Sequence, residues 1–456
     1  MKYIFLILIL GLHLLLLNQL TFTAWPEMLS YPYLLSHNFA LYKDFVMPYP
    51  PLLPMVLAAV FKFSGFTPFA LKFFTWGVLL LTDLLLFIIL QKLIKNNLIV
   101  CLCLVLYIIL QSVLDGNMLW FEIALLPFLL GTFLLLIKWL ENPKLKYLFW
   151  VGILLGLAIL IKQTAGVYLG IILGTLLLIK KFNWQNIQSL LLGFSLPAGV
   201  FLIYLLINNS LIDFWLWNIY YPLHDWSKFP GYTGVQIARR ELFNTALLFL
   251  PLALIFLKTK LIKDKCFILT SAFLISSLII VYPRLTFFHL QPALVFLIII
   301  LSLIINNLTK FKIIALTTIS IIYLAIATVA YRSPKEEIRF YNSEEIFWAQ
   351  FLNQNLKPTE KVYLLGLNSS LYAHSDRLPP KGWLDNFGWY FEIPGVQDEF
   401  IDDLKADPPK LILHKIPANG NWFDLSVYQP QKVVEYIKLN YTKIKQVGEI
   451  EIWQKK

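Results

Sequence analysis

The amino-acid sequence predicts a polytopic α-helical membrane protein with a small α/β domain at its C-terminal end. Three observations predict it. The 456-residue chain is 58% hydrophobic and 14% charged, with a mean hydropathy of +0.69, whereas soluble domains carry about a quarter of their residues as Asp, Glu, Lys and Arg. Apolar runs long enough to span a bilayer recur along the first 331 residues. The acids are uneven: residues 1–331 hold ten of the 27, and the last 125 residues hold 17. Lys plus Arg divides 22 to 16, so the first part carries +12 and the second −1 of the net +11. An ordinary cytosolic enzyme is excluded. Nucleic acid is excluded as a partner too, because it would need a basic face on a soluble domain. Cys101, Cys103 and Cys266 all lie in apolar runs, which fits neither a disulfide framework nor a zinc site.

A membrane span needs about 20 mostly apolar residues. Eleven runs qualify, near 3–21, 70–91, 97–113, 119–137, 147–161, 165–180, 188–207, 242–257, 266–282, 291–306 and 313–331. The segment 51–64 is shorter, flanked by Pro51 and interrupted by Lys62, which suits the interface better than a span. With the N-terminus inside, inner loops carry 14 basic residues and the much longer outer loops carry eight. That excess predicts N-inside and, after eleven spans, C-outside. The first run is read as an uncleaved helix, since Phe22-Thr23-Ala24-Trp25 lacks a small-residue cleavage pattern.

The long loops 22–69 and 208–241 both fall outside and are rich in Trp, Tyr and Pro, so the working face is predicted to be extracytoplasmic. Residues 332–456 read as an α/β domain large enough to form its own core. Helical spacing covers 343–356, with Ser343 at its start. Strands are expected at 361–366, 410–414 and 449–454, and a helix at 431–439. No Gly-rich phosphate loop or Cys/His metal spacing is present. The predicted organisation is therefore a transmembrane domain, 1–331, and an extracytoplasmic domain, 332–456.

Ionisable groups at membrane depth are costly and usually paired or functional. Glu27 lies just past the first run in Trp25-Pro26-Glu27-Met28. Asp44 follows in Tyr42-Lys43-Asp44-Phe45, ahead of Pro48-Tyr49-Pro50-Pro51-Leu52. Either carboxylate could serve as a general base on a hydroxyl if its surroundings tune it. Glu122 opens the fourth run, with the more solvated Asp115 before it, and Lys162 closes the fifth. Arg284 and His289 flank a later outer helix start. Arg239 and Arg240 open the eighth run, Asp83 is mid-span, and His13 in the first run reads as structural.

The order of an apolar helix, an acid, Tyr-x-Asp, a Pro-rich turn and a short amphipathic segment resembles the first loop of the GT-C glycosyltransferases. Most similar are the bacterial protein-mannosyltransferase-like enzymes, relatives of the lipid A aminoarabinose transferases. Gly156-Leu157-Ala158-Ile159-Leu160-Ile161-Lys162-Gln163-Thr164 agrees, as do Tyr282-Pro283-Arg284 and His289-Leu290-Gln291-Pro292. Lys361 to Gly366, Tyr372 and Arg377-Leu378-Pro379-Pro380 resemble the family's outer domain.

The resemblance implies a polyprenyl-phosphate-linked sugar as donor, with transfer to an acceptor (lipid, glycan or protein) at the outer surface of the cell membrane, usually with inversion. Glu27 takes the place of the first-loop acid, the base. It stands before Met, where many members have Asp or Asp-Glu. Asp44 matches the second acid and would orient the acceptor or Glu27. Lys162, Arg284 and His289 would face the donor phosphate, and Glu122 matches a further acid of the family. Arg239 and Arg240 would meet an anionic substrate or lipid headgroups; Asp83 receives no specific role. No cofactor is demanded, and a divalent metal ion would have Glu27, Asp44 and Glu122 as its ligands. Two rivals are weaker. A secondary transporter would favour inverted repeats and broken helices with midplane charges. An O-antigen ligase- or polymerase-like enzyme would use arginines and a His in a late loop.

Overall fold

The computed structural model describes residues 2–229, 232, 239–282, 285–308, 312–334, 336–416 and 430–456, the side chains of Lys2, Arg239 and Arg240 aside. The chain forms two compact units. The first comprises residues 1–23, 72–200 and 236–337; the second comprises 24–71, 201–235 and 338–456.

The first unit is a helical bundle. All eleven apolar runs fall on helices. Among the described residues, seven helical stretches are long and apolar enough to cross a membrane: Pro68–Leu93, Asn97–Gly116, Phe121–Glu141, Trp184–Ile207, Glu241–Lys263, Phe288–Asn307 and Lys312–Ala330. Tyr3–Asn18, Leu145–Ile161, Gln163–Leu178 and Lys265–Ile279 are apolar but shorter. The helix Gln291–Asn307 is enclosed nearly all round, from Gln291 to Ile305, as expected of a bundle core. Helices Leu145–Ile161 and Trp184–Ile207 cross at contact distance because small residues meet there. A Cβ on Gly193 would lie 1.9 Å from the Phe149 carbonyl oxygen, and one on Gly152 would lie 2.0 Å from that of Leu190. Such crossings are held by close van der Waals packing rather than by the hydrophobic effect.

The second unit joins the first long loop, the segment from Phe201 and the tail around one core. Its sheet has four strands, β1 (Val362–Leu365), β2 (Leu411–Lys415), β3 (Tyr441–Val447) and β4 (Ile450–Lys455), in the order β1-β2-β4-β3. β1 and β2 run parallel, and β4 is antiparallel to both of its neighbours. The parallel strands β1 and β2 are buried along nearly their whole length, as expected for a covered sheet. Tyr31, Phe45, Trp217 and Trp226 of the loops share the core with Tyr372, Trp383 and Tyr390 of the tail. Loops so rich in aromatics thus bury them in the unit's own interior.

The helix Ser343–Asn355 begins at Ser343, as the spacing predicts. Asn342 caps it, its side chain accepting from the Glu345 N–H at 3.0 Å, because a short amide side chain reaches the first free N–H groups. The segment at 51–64 is a helix, Leu52–Ser64, with Leu53, Leu57, Ala58 and Phe61 buried and Lys62 and Phe63 exposed.

Candidate active site

In the second unit the site is built on the helix Glu27–Ser36. Pro26 precedes it with φ −53°, a value its ring imposes, and its carbonyl accepts from the Leu29 and Ser30 N–H groups. Glu27 is therefore in the first helical turn, and it is 7% exposed. Ser30 Oγ donates to Ser369 Oγ at 3.1 Å, which fixes this helix against the turn before helix Ser370–Ser375.

A second acid, absent from the sequence-level candidates, shares the site. Asp385 is 6% exposed and follows Trp383 and Leu384. Its Oδ1 accepts from the Asn386 N–H at 2.8 Å and its Oδ2 from Ser369 Oγ at 3.3 Å. Gly382 makes the preceding turn at φ +74°, and a Cβ there would lie 2.0 Å from Asp403 Oδ2, so only glycine fits. The loop that delivers Asp385 is pinned to the first-loop segment by Trp383 N–H to the Asp44 carbonyl at 3.1 Å and Val46 N–H to the Trp383 carbonyl at 3.0 Å.

The two carboxyls hold their protons unusually tightly. Burial pushes Glu27 up to about 8, and the charge of Asp385 adds to it. Burial also raises Asp385, to about 6, against the lowering effect of its hydrogen bonds from Asn386, Ser369 and Tyr31. Glu27 Oε2 is buried without a hydrogen-bond partner among the described residues. Both acids line an open cavity of about 240 Å³, just below the usual range of ligand-site volumes.

Asp44 does not line it. Its Oδ2 accepts from the Ala40 N–H at 2.9 Å and pairs with Lys381 Nζ at 2.9 Å, so the second first-loop acid secures the loop carrying Asp385.

The first unit holds another cluster. Glu122, fully buried in the first turn of Phe121–Glu141, receives both Lys162 Nζ and His289 Nδ1 on its Oε1. Lys162 ends the helix Leu145–Ile161 with extended backbone and is 8% exposed, so it is an enclosed cation rather than one reaching for headgroups. Glu122 Oε2 has no hydrogen-bond partner among the described residues. An ammonium has three donors, and one is spent on Glu122. Asp115 is exposed, at φ +53° in the turn before Glu122.

Asp83 is placed away from this chemistry. It pairs with His13 Nδ1 at 2.6 Å, and His13 Nε2 meets Gln111 Oε1 at 2.9 Å, with all three residues at 0% exposure. Gln291 continues the chain, its Nε2 donating to the Leu114 carbonyl at 2.7 Å. Arg284 lies outside the described residues, as do the side chains of Arg239 and Arg240. The divalent-ion expectation does not fit the residues present. Asp44 and Glu122 are spent on lysines, and no group of three His, Cys, Asp or Glu side chains gathers among the described residues.

The signal for Asp385 in the sequence was an acid enclosed by Trp383, Leu384 and Phe387, but 16 other acids in the same tail obscure it.

A family model described as dolichyl-phosphate-mannose-protein mannosyltransferase matches residues 49–207. No curated protein matches the chain in sequence. Among solved structures, ArnT from Cupriavidus metallidurans is similar in its apo state and bound to undecaprenyl phosphate, with a TM-score of 0.58 for both. Identity is 12% and 11%, over 99% of this chain and 97% of that one. The archaeal oligosaccharyltransferase AglB from Archaeoglobus fulgidus, in complex with an inhibitory peptide and a dolichol-phosphate, is similar at a TM-score of 0.54. Its identity is 13%, over 100% of this chain and 74% of that one. The family model thus matches about a third of the chain, and over nearly its whole length the chain shares the fold of these membrane-protein structures.

Proposed function

We propose that the chain transfers a glycosyl group from a polyprenyl-phosphate-linked donor to an acceptor hydroxyl at the extracytoplasmic face of the cell membrane. The observation that carries this reading is Glu27: a first-loop acid, buried, held by a helix start, lining an open cavity, with one oxygen unpartnered among the described residues. The undecaprenyl phosphate and dolichol-phosphate on the two similar structures support the donor class.

Glu27 takes the proton of the acceptor hydroxyl as its oxygen attacks the anomeric carbon. The bond from that carbon to the phosphate oxygen breaks, its electron pair leaves with the polyprenyl phosphate, and inversion follows. A base whose pKa lies near the working pH balances proton affinity against the ionised fraction; with Glu27 near 8, roughly one molecule in ten is ionised at pH 7. Asp385 is a positioning residue that keeps the Glu27 proton affinity high. Lys162 is assigned to the donor phosphate, with its two remaining donors and with His289 and Arg284 adding to its charge.

The test is single-turnover transfer in proteoliposomes from a panel of polyprenyl-phospho-sugars. Glu27→Gln keeps the shape and removes the base, so transfer should fall by about 10²–10⁴-fold with donor affinity unchanged. Lys162→Ala should weaken donor binding by roughly 10- to 150-fold, and Lys162→Arg should recover part of it. Activity of Glu27→Gln within a few-fold of wild type would remove Glu27 as the base.

A further inference from the structure

The cavity beside Glu27 has a chemical character of its own. Glu27, Asp385, Glu344 and Glu345 line it against two cations, Arg339 and Lys415. Two of its lining residues carry buried oxygens without partners among the described residues, Glu27 Oε2 and Asn386 Oδ1. Asn386 is 7% exposed, and its Nδ2 donates to the Leu367 carbonyl at 3.1 Å. That bond fixes which amide atom is left over, namely the acceptor. Unmet buried acceptors are costly, and a ligand bearing several O–H or N–H donors satisfies them. The excess of carboxyls disfavours an anionic ligand. Trp25, Phe340 and Phe387 also line the cavity and offer apolar aromatic surface to weakly positive C–H groups. A molecule with many hydroxyl donors, an apolar C–H face and no negative charge is a sugar.

We propose that this cavity is the acceptor site, and that the acceptor group bound there is a neutral or amino-bearing carbohydrate. The word acceptor rests on the glycosyl-transfer reading; the ligand chemistry does not. Asn386 and Glu27 receive hydroxyl hydrogens, the aromatic side chains supply the apolar wall, and Glu344, which is exposed, favours an ammonium substituent.

The test uses the purified full chain in nanodiscs, with saturation-transfer NMR and tryptophan fluorescence. Four probes are compared: a methyl hexopyranoside, a methyl 2-amino-2-deoxyhexopyranoside, a hexose 6-phosphate and the tetrapeptide Gly-Ser-Gly-Ser. The first two should bind, and the sugar phosphate and the peptide should bind at least about tenfold more weakly. Asn386→Ala should weaken sugar binding by roughly 5- to 10-fold. Glu344→Lys, at an exposed position, should shift the preference from amino sugar toward sugar phosphate by roughly tenfold. Equal binding of the peptide or the sugar phosphate overturns the proposal, and so does sugar binding that neither variant alters. Transfer from a polyprenyl-phospho-sugar without sugar binding in the cavity would overturn it while leaving the transferase reading intact. Sugar binding in a chain that transfers from no donor would overturn the transferase reading alone.

Discussion

Because the folded chain holds the Glu27 proton to about pH 8 while an ordinary glutamate releases it near 4.5, ionising this residue opposes folding. The native state binds the extra proton between those two values, so its stability falls as pH rises through the window and levels off above it. Glu27→Gln should therefore melt higher than wild type at pH 8.5, and the gap should close toward pH 4.5. A constant difference across that range would contradict the shift. Asp385→Asn removes the neighbouring charge, so the pH profile of transfer should move to lower pH. The partners of Lys162 give a second contrast. Removing one member of a buried ion pair costs about 3–5 kcal/mol, because the other charge is stranded. Lys162→Ala should lower the melting temperature more than Lys162→Ala combined with Glu122→Gln does. Sequence reasoning reached Glu27, Glu122, Lys162 and His289 because each is an isolated ionisable residue next to an apolar run. It missed Asp385 because burial in a charged tail leaves no periodic trace, and it could not see that the Asp44 side chain would be taken up by Lys381, 337 residues away.

At the scale of elements, the loop 381–386 is the most exacting. Gly382→Ala places a side chain at φ +74° and against Asp403; left-handed backbone costs about 1–2 kcal/mol for an ordinary residue, and the clash adds to it. The variant should lose stability by at least that amount and also lose transfer, with a shifted pH profile if Asp385 has moved. Normal transfer in this variant would separate the loop from the chemistry. The helices and the strands β1, β2 and β4 were legible because their patterns are long or fully apolar. β3, Tyr441–Val447, was not: five of its seven residues are exposed, so no alternation marks it. The tail motif at 377–380 turned out to be scaffold. Arg377 is 5% exposed and donates to the carbonyls of Ser375, Asp376 and Leu356 at 3.1, 2.8 and 2.7 Å.

For the whole molecule, the distribution of basic residues argues for orientation. A reporter fused after Lys456 should be extracytoplasmic, and one fused near Lys181 cytoplasmic. A cytoplasmic reporter after Lys456 would mean an odd error in the span count, with the 13-residue helix Leu52–Ser64 as the first segment to re-examine. Composition made the membrane class legible. It could not show that the first loop and the loop after Phe201 would build one compact unit with the tail, because the contacts responsible join residues hundreds apart in sequence.

The buried pair of His13 and Asp83 has a consequence for how the protein is made. His13 is made before the groups it meets: its partner is 70 residues further on, and Gln111 is 98 residues away. At roughly 5–20 residues per second, the nascent helix waits several seconds with an imidazole facing hydrocarbon or the insertion machinery. The helix carrying His13 therefore gains its polar partners only once the helices carrying Asp83 and Gln111 have been synthesised. Replacing His13 by Leu should speed its early integration, as read by crosslinking of stalled chains to lipid, while the finished protein loses the polar anchor that its later helices were built to meet.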